Sequence, residues 1–130
     1  MCGISGIINF KVKPDITTAE AMNRKISYRG PDFKSVWSNS FSAIGFVRLA
    51  IIDLSNNANQ PFISKDKKIS IIYNGEIYNF KELKNKYFKN ELFKSNGDGE
   101  VILYLYQKFG INFIEKIKGM FSIFISDENR

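Results

Sequence analysis

The order of strand-like and helix-like stretches is the strongest constraint this sequence places on its fold. Gly3 to Phe10 is apolar with small residues and reads as a strand beginning almost at the N-terminus. Thr17 with Glu20 fits a capping box, and Asp15 offers another cap, for a helix carrying Ala21, Met22 and Ile26. That helix should stop near Ser27, before the turn signal Arg29-Gly30-Pro31-Asp32. Val36 to Ser38 and Phe41 to Val47 read as two short strands joined at Ser38-Asn39-Ser40, with Arg48 to Leu54 continuing extended and Ser55 to Pro61 forming a polar loop. Ile69 to Tyr73 reads as a strand behind a hairpin tip at Lys65 to Lys68, broken by Asn74-Gly75.

The second half is richer in helices. Asn79 should cap a helix whose Phe80, Leu83 and Tyr87 fall at helical spacing. Phe88 to Phe93 suggests a short strand. Val101, Leu105 and Phe109 share one face of a helix that Asp98 can cap and Gly110 ends, and Ile111 to Ile117 suggests a further short helix. In Gly119 to Ser126, Phe121, Ile123 and Ile125 alternate against Ser122, Phe124 and Ser126, the two-residue period of a strand. Hairpin-like strands first, then helices between later strands, are not a strict βαβ alternation. The fold class expected is therefore α+β.

Composition narrows the function classes. The 130 residues are 44% hydrophobic, which suits one globular domain over residues 2–130. No apolar run reaches the roughly 18 residues of a membrane span, and the N-terminus lacks the pattern of a signal peptide. One cysteine cannot form an internal disulfide or a CxxC site, and without any histidine a zinc site is not expected. These points favour a reducing, cytoplasmic setting with no membrane contact and no metal. The net charge is +6, but the lysines are scattered, and the densest run, Lys81 to Lys89, reads as a solvated helix face. A basic nucleic-acid-binding module is the rival that charge alone allows; no nucleic-acid partner is expected.

The chemistry gathers in four segments. Cys2 is the only cysteine and follows the initiator methionine. If Met1 is removed, the thiol and a free α-amine share one residue. That amine has an unperturbed pKa of roughly 7.7–8, so it can act as a base near neutral pH. A cysteine nucleophile usually borrows a histidine, and this chain has none to lend. Arg48 opens the apolar stretch Leu49-Ala50-Ile51-Ile52-Asp53, Asn74-Gly75-Glu76 sits at a strand end, and Asp98 with Glu100 sits at a helix start. Taken singly, each has a plainer reading: a surface ion pair for Arg48, a tight turn for Asn74-Gly75, an N-cap for Asp98, and solvated acids for Glu76 and Glu100.

Together they resemble a known family. Met-Cys-Gly-Ile at the start, Arg-Gly-Pro-Asp at 29–32, Arg-Leu-Ala-Ile-Ile-Asp at 48–53, Asn-Gly-Glu-Ile-Tyr-Asn at 74–79, Gly-Asp-Gly-Glu-Val-Ile at 97–102 and Gly-Met-Phe-Ser at 119–122 occur in order. The chain resembles the N-terminal glutaminase domain of glutamine-hydrolysing asparagine synthetases. Those are class II glutamine amidotransferases, among the N-terminal-nucleophile hydrolases. The resemblance implies an αββα sandwich, incomplete at its C-terminal end in this chain. It implies L-glutamine as substrate, hydrolysed to glutamate and ammonia through a thioester on Cys2. Asn74 and Gly75 would form the oxyanion hole. Arg48 would hold the α-carboxylate, Asp98 with Glu76 the α-ammonium, and the backbone of Leu49, Ala50, Ile51 and Ile52 a pocket wall.

The resemblance implies no cofactor or metal for this half. ATP and Mg2+ would belong to a synthetase domain or subunit, which this chain lacks and to which ammonia would pass, and the full-length protein would form a homodimer. The alternative is a non-catalytic partial domain that binds or regulates a synthetase partner. The chain departs from the family pattern at Tyr28 and Phe46, where histidines are usual, and at Gly97 and Gly99.

Overall fold

A computed structural model describes residues 2–129; Met1, on whose removal a free α-amine depends, and Arg130 lie outside the described residues. Nine regular elements follow in order: β1 (Gly3–Ile8), α1 (Ile16–Lys25), β2 (Phe33–Ser38), β3 (Ser42–Arg48), β4 (Phe62–Ile63), β5 (Ile69–Ile77), α2 (Phe80–Tyr87), α3 (Glu100–Phe109) and β6 (Gly119–Asp127). Short 3-10 turns cover Ser27–Arg29, Asn56–Ala58 and Gly110–Glu115.

The strands form two antiparallel three-stranded sheets, ordered β1-β3-β2 and β4-β5-β6. β3 is the central strand of the first sheet and is buried along its whole length. Its Ile44 and Phe46 meet Ile72 of β5 in a small core between the sheets, joined by Ile4, Trp37 and Phe124. The larger core lies between the second sheet and the later helices. There Ile71, Tyr73 and Ile77 pack with Val101, Ile102, Leu105 and Phe113. α1 covers the first sheet, so helices lie outside both sheets and the α+β expectation holds.

One buried polar side chain pins α1 to all three strands beneath it. Asn23 accepts from the Ser5 hydroxyl at 3.2 Å on β1 and donates to the carbonyls of Ser35 at 2.8 Å on β2 and Phe46 at 3.3 Å on β3. A second polar contact joins the sheets near one end of the sandwich, where Asn39 Nδ2 donates to Ser126 Oγ at 2.8 Å and Ser42 Oγ lies 3.2 Å from the same atom. The other end of β3, at Arg48, opens into the cavity described below.

Several local expectations are corrected. Asp15, not Thr17, caps α1: its carboxylate accepts from the Thr17 N–H at 2.9 Å and the Thr17 hydroxyl at 2.6 Å, leaving no Thr17–Glu20 box. β3 ends at Arg48, and the chain beyond it bends. β5 does not break at Asn74-Gly75, because β6 pairs with it in unbroken register from Ile69 to Ile77. Asn79 precedes α2, yet its side chain caps nothing; it bridges Lys116 O and Lys118 N, both at 2.9 Å. Residues 88–93 form no strand, since Phe88 and Phe93 turn inward onto Tyr104, the first edge-on and the second tilted at 46°. Gly110 ends α3 as expected, with φ 57°.

Removing the buried Asn23 side chain strips donors from two carbonyls beneath α1. Asn23→Ala should cost about 1–3 kcal/mol of unfolding free energy, read from the midpoint of a urea titration at unchanged slope.

Candidate functional site

β1 pairs with β3 so that Gly3 faces Val47, which carries Cys2 to the end of β3. There the Cys2 thiol meets both backbone polar groups of Leu49: its N–H donates to Sγ at 3.4 Å, and Sγ lies 3.6 Å from its carbonyl oxygen. Arg29 Nε donates to the Cys2 carbonyl at 3.1 Å. The thiol borders a cavity of about 240 Å³ between the ends of the two sheets. Its walls include Phe46, Arg48, Leu49, Ile51, Ile52 and Asp53 on one side of the sequence, and Tyr73, Asn74, Gly75, Glu76, Ser95, Gly97 and Asp98 on the other.

Arg48 is buried, and its guanidinium is held from behind. Nη1 donates to Ser55 O at 2.9 Å and Asn59 Oδ1 at 2.7 Å, and Nη2 donates to Asp53 O. Nε–H and one Nη2–H take no part in these bonds. The Asp53 carboxylate accepts from Ser55 N at 2.8 Å and Asn96 N at 2.7 Å. Hydrogen bonds from Ser55 hold the Asp53 carboxyl below its usual range, with smaller help from Asn96 and Arg48 against the opposing effect of burial.

The edge of β5 explains how Asn74 and Gly75 are presented. Every second residue of a strand directs its N–H and C=O to the same edge. On this edge Ile69 N bonds Ser64 Oγ at 3.0 Å, Tyr73 N bonds Gln60 Oε1 at 2.6 Å, and Ile77 N bonds Asp98 Oδ2 at 2.8 Å. Gln60 Nε2 also returns to Tyr73 O at 3.1 Å, so one side-chain amide replaces a rung of the ladder. Gly75 falls between Tyr73 and Ile77 in the same alternation, and its N–H faces the cavity side without a protein acceptor among the described residues. The Asn74 side-chain amide likewise makes no hydrogen bond there. Glycine is required at 75 because a Cβ would collide with the Met120 carbonyl and lie 2.6 Å from Phe121 Cα.

Asp98 is buried and does not cap α3; it accepts from Ile77 N and stands beside the Tyr73 hydroxyl. Burial, reinforced by Asp98, raises the Tyr73 phenol far above its usual range. Glu100 is no solvated acid: it is buried and accepts from Lys94 N at 3.1 Å and Ser95 N at 2.7 Å. Lys84 departs from the solvated-face expectation for 81–89. Its Nζ donates to Ser95 O at 3.2 Å and Gly97 O at 3.0 Å. Burial lowers the Lys84 ammonium below the usual lysine range, opposed by Glu100, Asp98 and Asp53.

Of the residues singled out in the sequence, Cys2, Arg48, Leu49, Ile51, Ile52, Asn74, Gly75, Glu76 and Asp98 line one cavity. Ala50 does not; its N–H turns away to Asp32 Oδ2 at 2.8 Å. Gln60, Tyr73 and Lys84 shape the site without a sequence signal that marks them, whereas Asp53 and Glu100 lie inside the motifs at 48–53 and 97–102 and turn out to brace residues 94–96. Tyr28 is exposed, whereas Phe46 fills the inner wall. At Gly99 a Cβ would press on the rings of Tyr73 at 2.5 Å and Phe62 at 2.7 Å, so those rings occupy the space a larger residue would need.

The profile of the glutamine amidotransferase domain family matches residues 1–130. The chain belongs to that family. It is 44% identical over 134 residues to asparagine synthetase (glutamine-hydrolysing) 2 of Bacillus subtilis (strain 168), a match covering 100% of this chain and 18% of the relative. It is 36% identical over 129 residues to the asparagine synthetase (glutamine-hydrolysing) of Brassica oleracea, covering 98% and 22% respectively. The chain thus spans about a fifth of the length of these relatives. Glutamine phosphoribosylpyrophosphate amidotransferase from B. subtilis, solved with ADP and GMP, shares the fold with a TM-score of 0.75 at 20% identity, over 98% of this chain and 35% of that one. The paired sheets with outer helices are therefore the αββα fold of an amidotransferase domain. No helix among the described residues is long and apolar enough to cross a membrane.

Because the folded Asp53 carboxyl titrates below its unfolded value, its contribution to stability is complete above the ordinary pKa of about 3.9 and is lost as pH falls through the lowered value. Asp53→Asn should therefore be less stable at pH 7 but lose less stability between pH 7 and pH 3. Urea unfolding at the two pH values measures the difference.

Proposed function

We propose that this domain hydrolyses L-glutamine to glutamate and ammonia through a thioester on Cys2. The observation that carries the reading is one cavity bringing together the Cys2 thiol, the unpaired Asn74 amide and Gly75 N–H, a guanidinium with free donors, and the Asp98 carboxylate. With Met1 removed, the Cys2 α-amine takes the thiol proton as sulfur attacks the side-chain carboxamide carbon. The tetrahedral oxyanion forms against Asn74 Nδ2 and Gly75 N–H, donors already aimed and unspent. Collapse breaks the C–N bond, and the proton held on the α-amine leaves with ammonia. Water then resolves the thioester and releases glutamate.

Recognition uses the remaining charges. Arg48 offers Nε–H and Nη2–H as a fork for the α-carboxylate, while its other donors are anchored to backbone and Asn59. Asp98, assisted by Glu76, takes the α-ammonium. Leu49, Ile51 and Ile52 close the wall beside the thiol. The relatives' names support glutamine as the nitrogen source and an asparagine-synthetase-type domain or subunit as the ammonia acceptor. In this reading the whole protein works in the cytoplasm as a homodimer, and ATP and Mg2+ act only in the synthetase half.

Three measurements test the reading. A glutamine-like electrophile should label Cys2, by mass spectrometry, only in chains that have lost Met1; equal labelling with Met1 retained would sink the α-amine mechanism. Cys2→Ser should abolish glutamine-dependent ammonia release. Asn74→Ala should lower kcat about 10²–10³-fold, the loss expected for one oxyanion donor.

A further inference from the structure

The segment 94–98 carries Asp98 but belongs to no helix or strand. Five of its backbone groups are met by charged side chains outside the segment. Glu100, in the first turn of α3, takes the N–H groups of Lys94 and Ser95. Asp53, beyond β3, takes Asn96 N–H. Lys84, on α2, binds the carbonyls of Ser95 and Gly97. Buried backbone polar groups demand partners, and a segment outside regular structure must find them in side chains. Lys84 is the one member that reaches both flanks of Asn96. Its ammonium is further confined by the ring of Phe93, 4.3 Å away, and that of Phe80, 5.4 Å away.

We propose that Lys84 is a positioning residue for the cavity: by holding the carbonyls of Ser95 and Gly97, it sets the place of Asp98 and hence the affinity for the substrate's ammonium group. The proposal rests on the glutaminase reading above. Lys84 touches no reacting atom; it acts through the loop. Asp53 extends the same device, since its carboxylate holds Asn96 while its carbonyl accepts from Arg48. The ammonium-binding and carboxylate-binding groups of the pocket are therefore tied to one another through a clasp of charged side chains, of which Asp53 and Glu100 are buried and Lys84 half-buried.

Position and charge pull in opposite directions here, which makes the test sharp. A cation near Asp98 by itself disfavours a bound ammonium, so a purely electrostatic role would make its removal tighten binding. Positioning requires the reverse. Glutamine hydrolysis is measured on the protein as it occurs, with any synthetase domain or subunit in place. Lys84→Met should raise KM for glutamine about 10-fold or more while kcat stays within about 3-fold, and Lys84→Arg should bring KM back to within about 3-fold of the parent. An unchanged or lower KM in Lys84→Met would overturn the proposal. Should Lys84→Met not fold, Lys84→Gln replaces it and amide exchange is compared with the parent: Ser95 and Asn96 should exchange at least about 10-fold faster in the variant, and equal rates would overturn the proposal. Absence of glutamine hydrolysis by the unmodified protein would defeat the functional reading instead, and the exchange comparison would still decide whether the clasp exists.

Discussion

Antiparallel pairing of β1 with β3 is the constraint on which the site depends. A cysteine at the second position of the sequence has no intrinsic place in a fold. The ladder from Gly3–Val47 to Ile8–Ser42 supplies one, and the whole first sheet stands behind it. β3 is central and wholly buried, with α1 packed on one face and Ile72 of β5 on the other. Cys2 is thereby delivered to the end of the best-supported strand in the molecule, beside the bend that starts after Arg48. A loop-borne thiol would lack that definition; here backbone pairing fixes the approach to Leu49 and Arg29 fixes the Cys2 carbonyl.

The second sheet contributes in a complementary manner. β5 is paired with β6 throughout, so its other edge is where partners are distributed one by one: Ser64, Gln60 and Asp98 in turn. The gap in that series falls at Gly75. The hydrogen-bonding capacity that a sheet normally consumes internally is left over at one rung, beside a side chain, Asn74, that also keeps its donors. A reactive site needs unspent donors that cannot wander, and an otherwise saturated strand edge provides them.

The fold was legible in the sequence where periodicity and local chemistry agreed. The alternation of Phe121, Ile123 and Ile125 marks β6, and Gly110 ends α3 because only a residue free of Cβ adopts its φ readily. Legibility failed where a distant segment claimed a residue with a strong local habit. Asn74-Gly75 looks like a turn until β6 pairs across it. Asn79 and Asp98 look like helix caps until residues 116–118 and Ile77 recruit their side chains. For the site, the residues with family motifs were visible, but their supports were not. Gln60 sits in a polar loop and Lys84 in a lysine-rich helix, and nothing local separates either from its neighbours. Their roles arise from carbonyls and amides that come near only after folding.

The side-chain rung at Gln60 has a consequence for solubility. β4 contributes only two residues, so most of the β5 edge beyond it would be an open template for another strand. Such edges invite intermolecular pairing and aggregation unless they are blunted. Gln60 saturates Tyr73 without adding a strand, and Asp98 places a carboxylate on the rung at Ile77. A foreign β-strand therefore meets an edge already satisfied on both sides of Gly75, and against a buried acid. The gap at Gly75 is one residue wide, too short to register with a neighbouring chain.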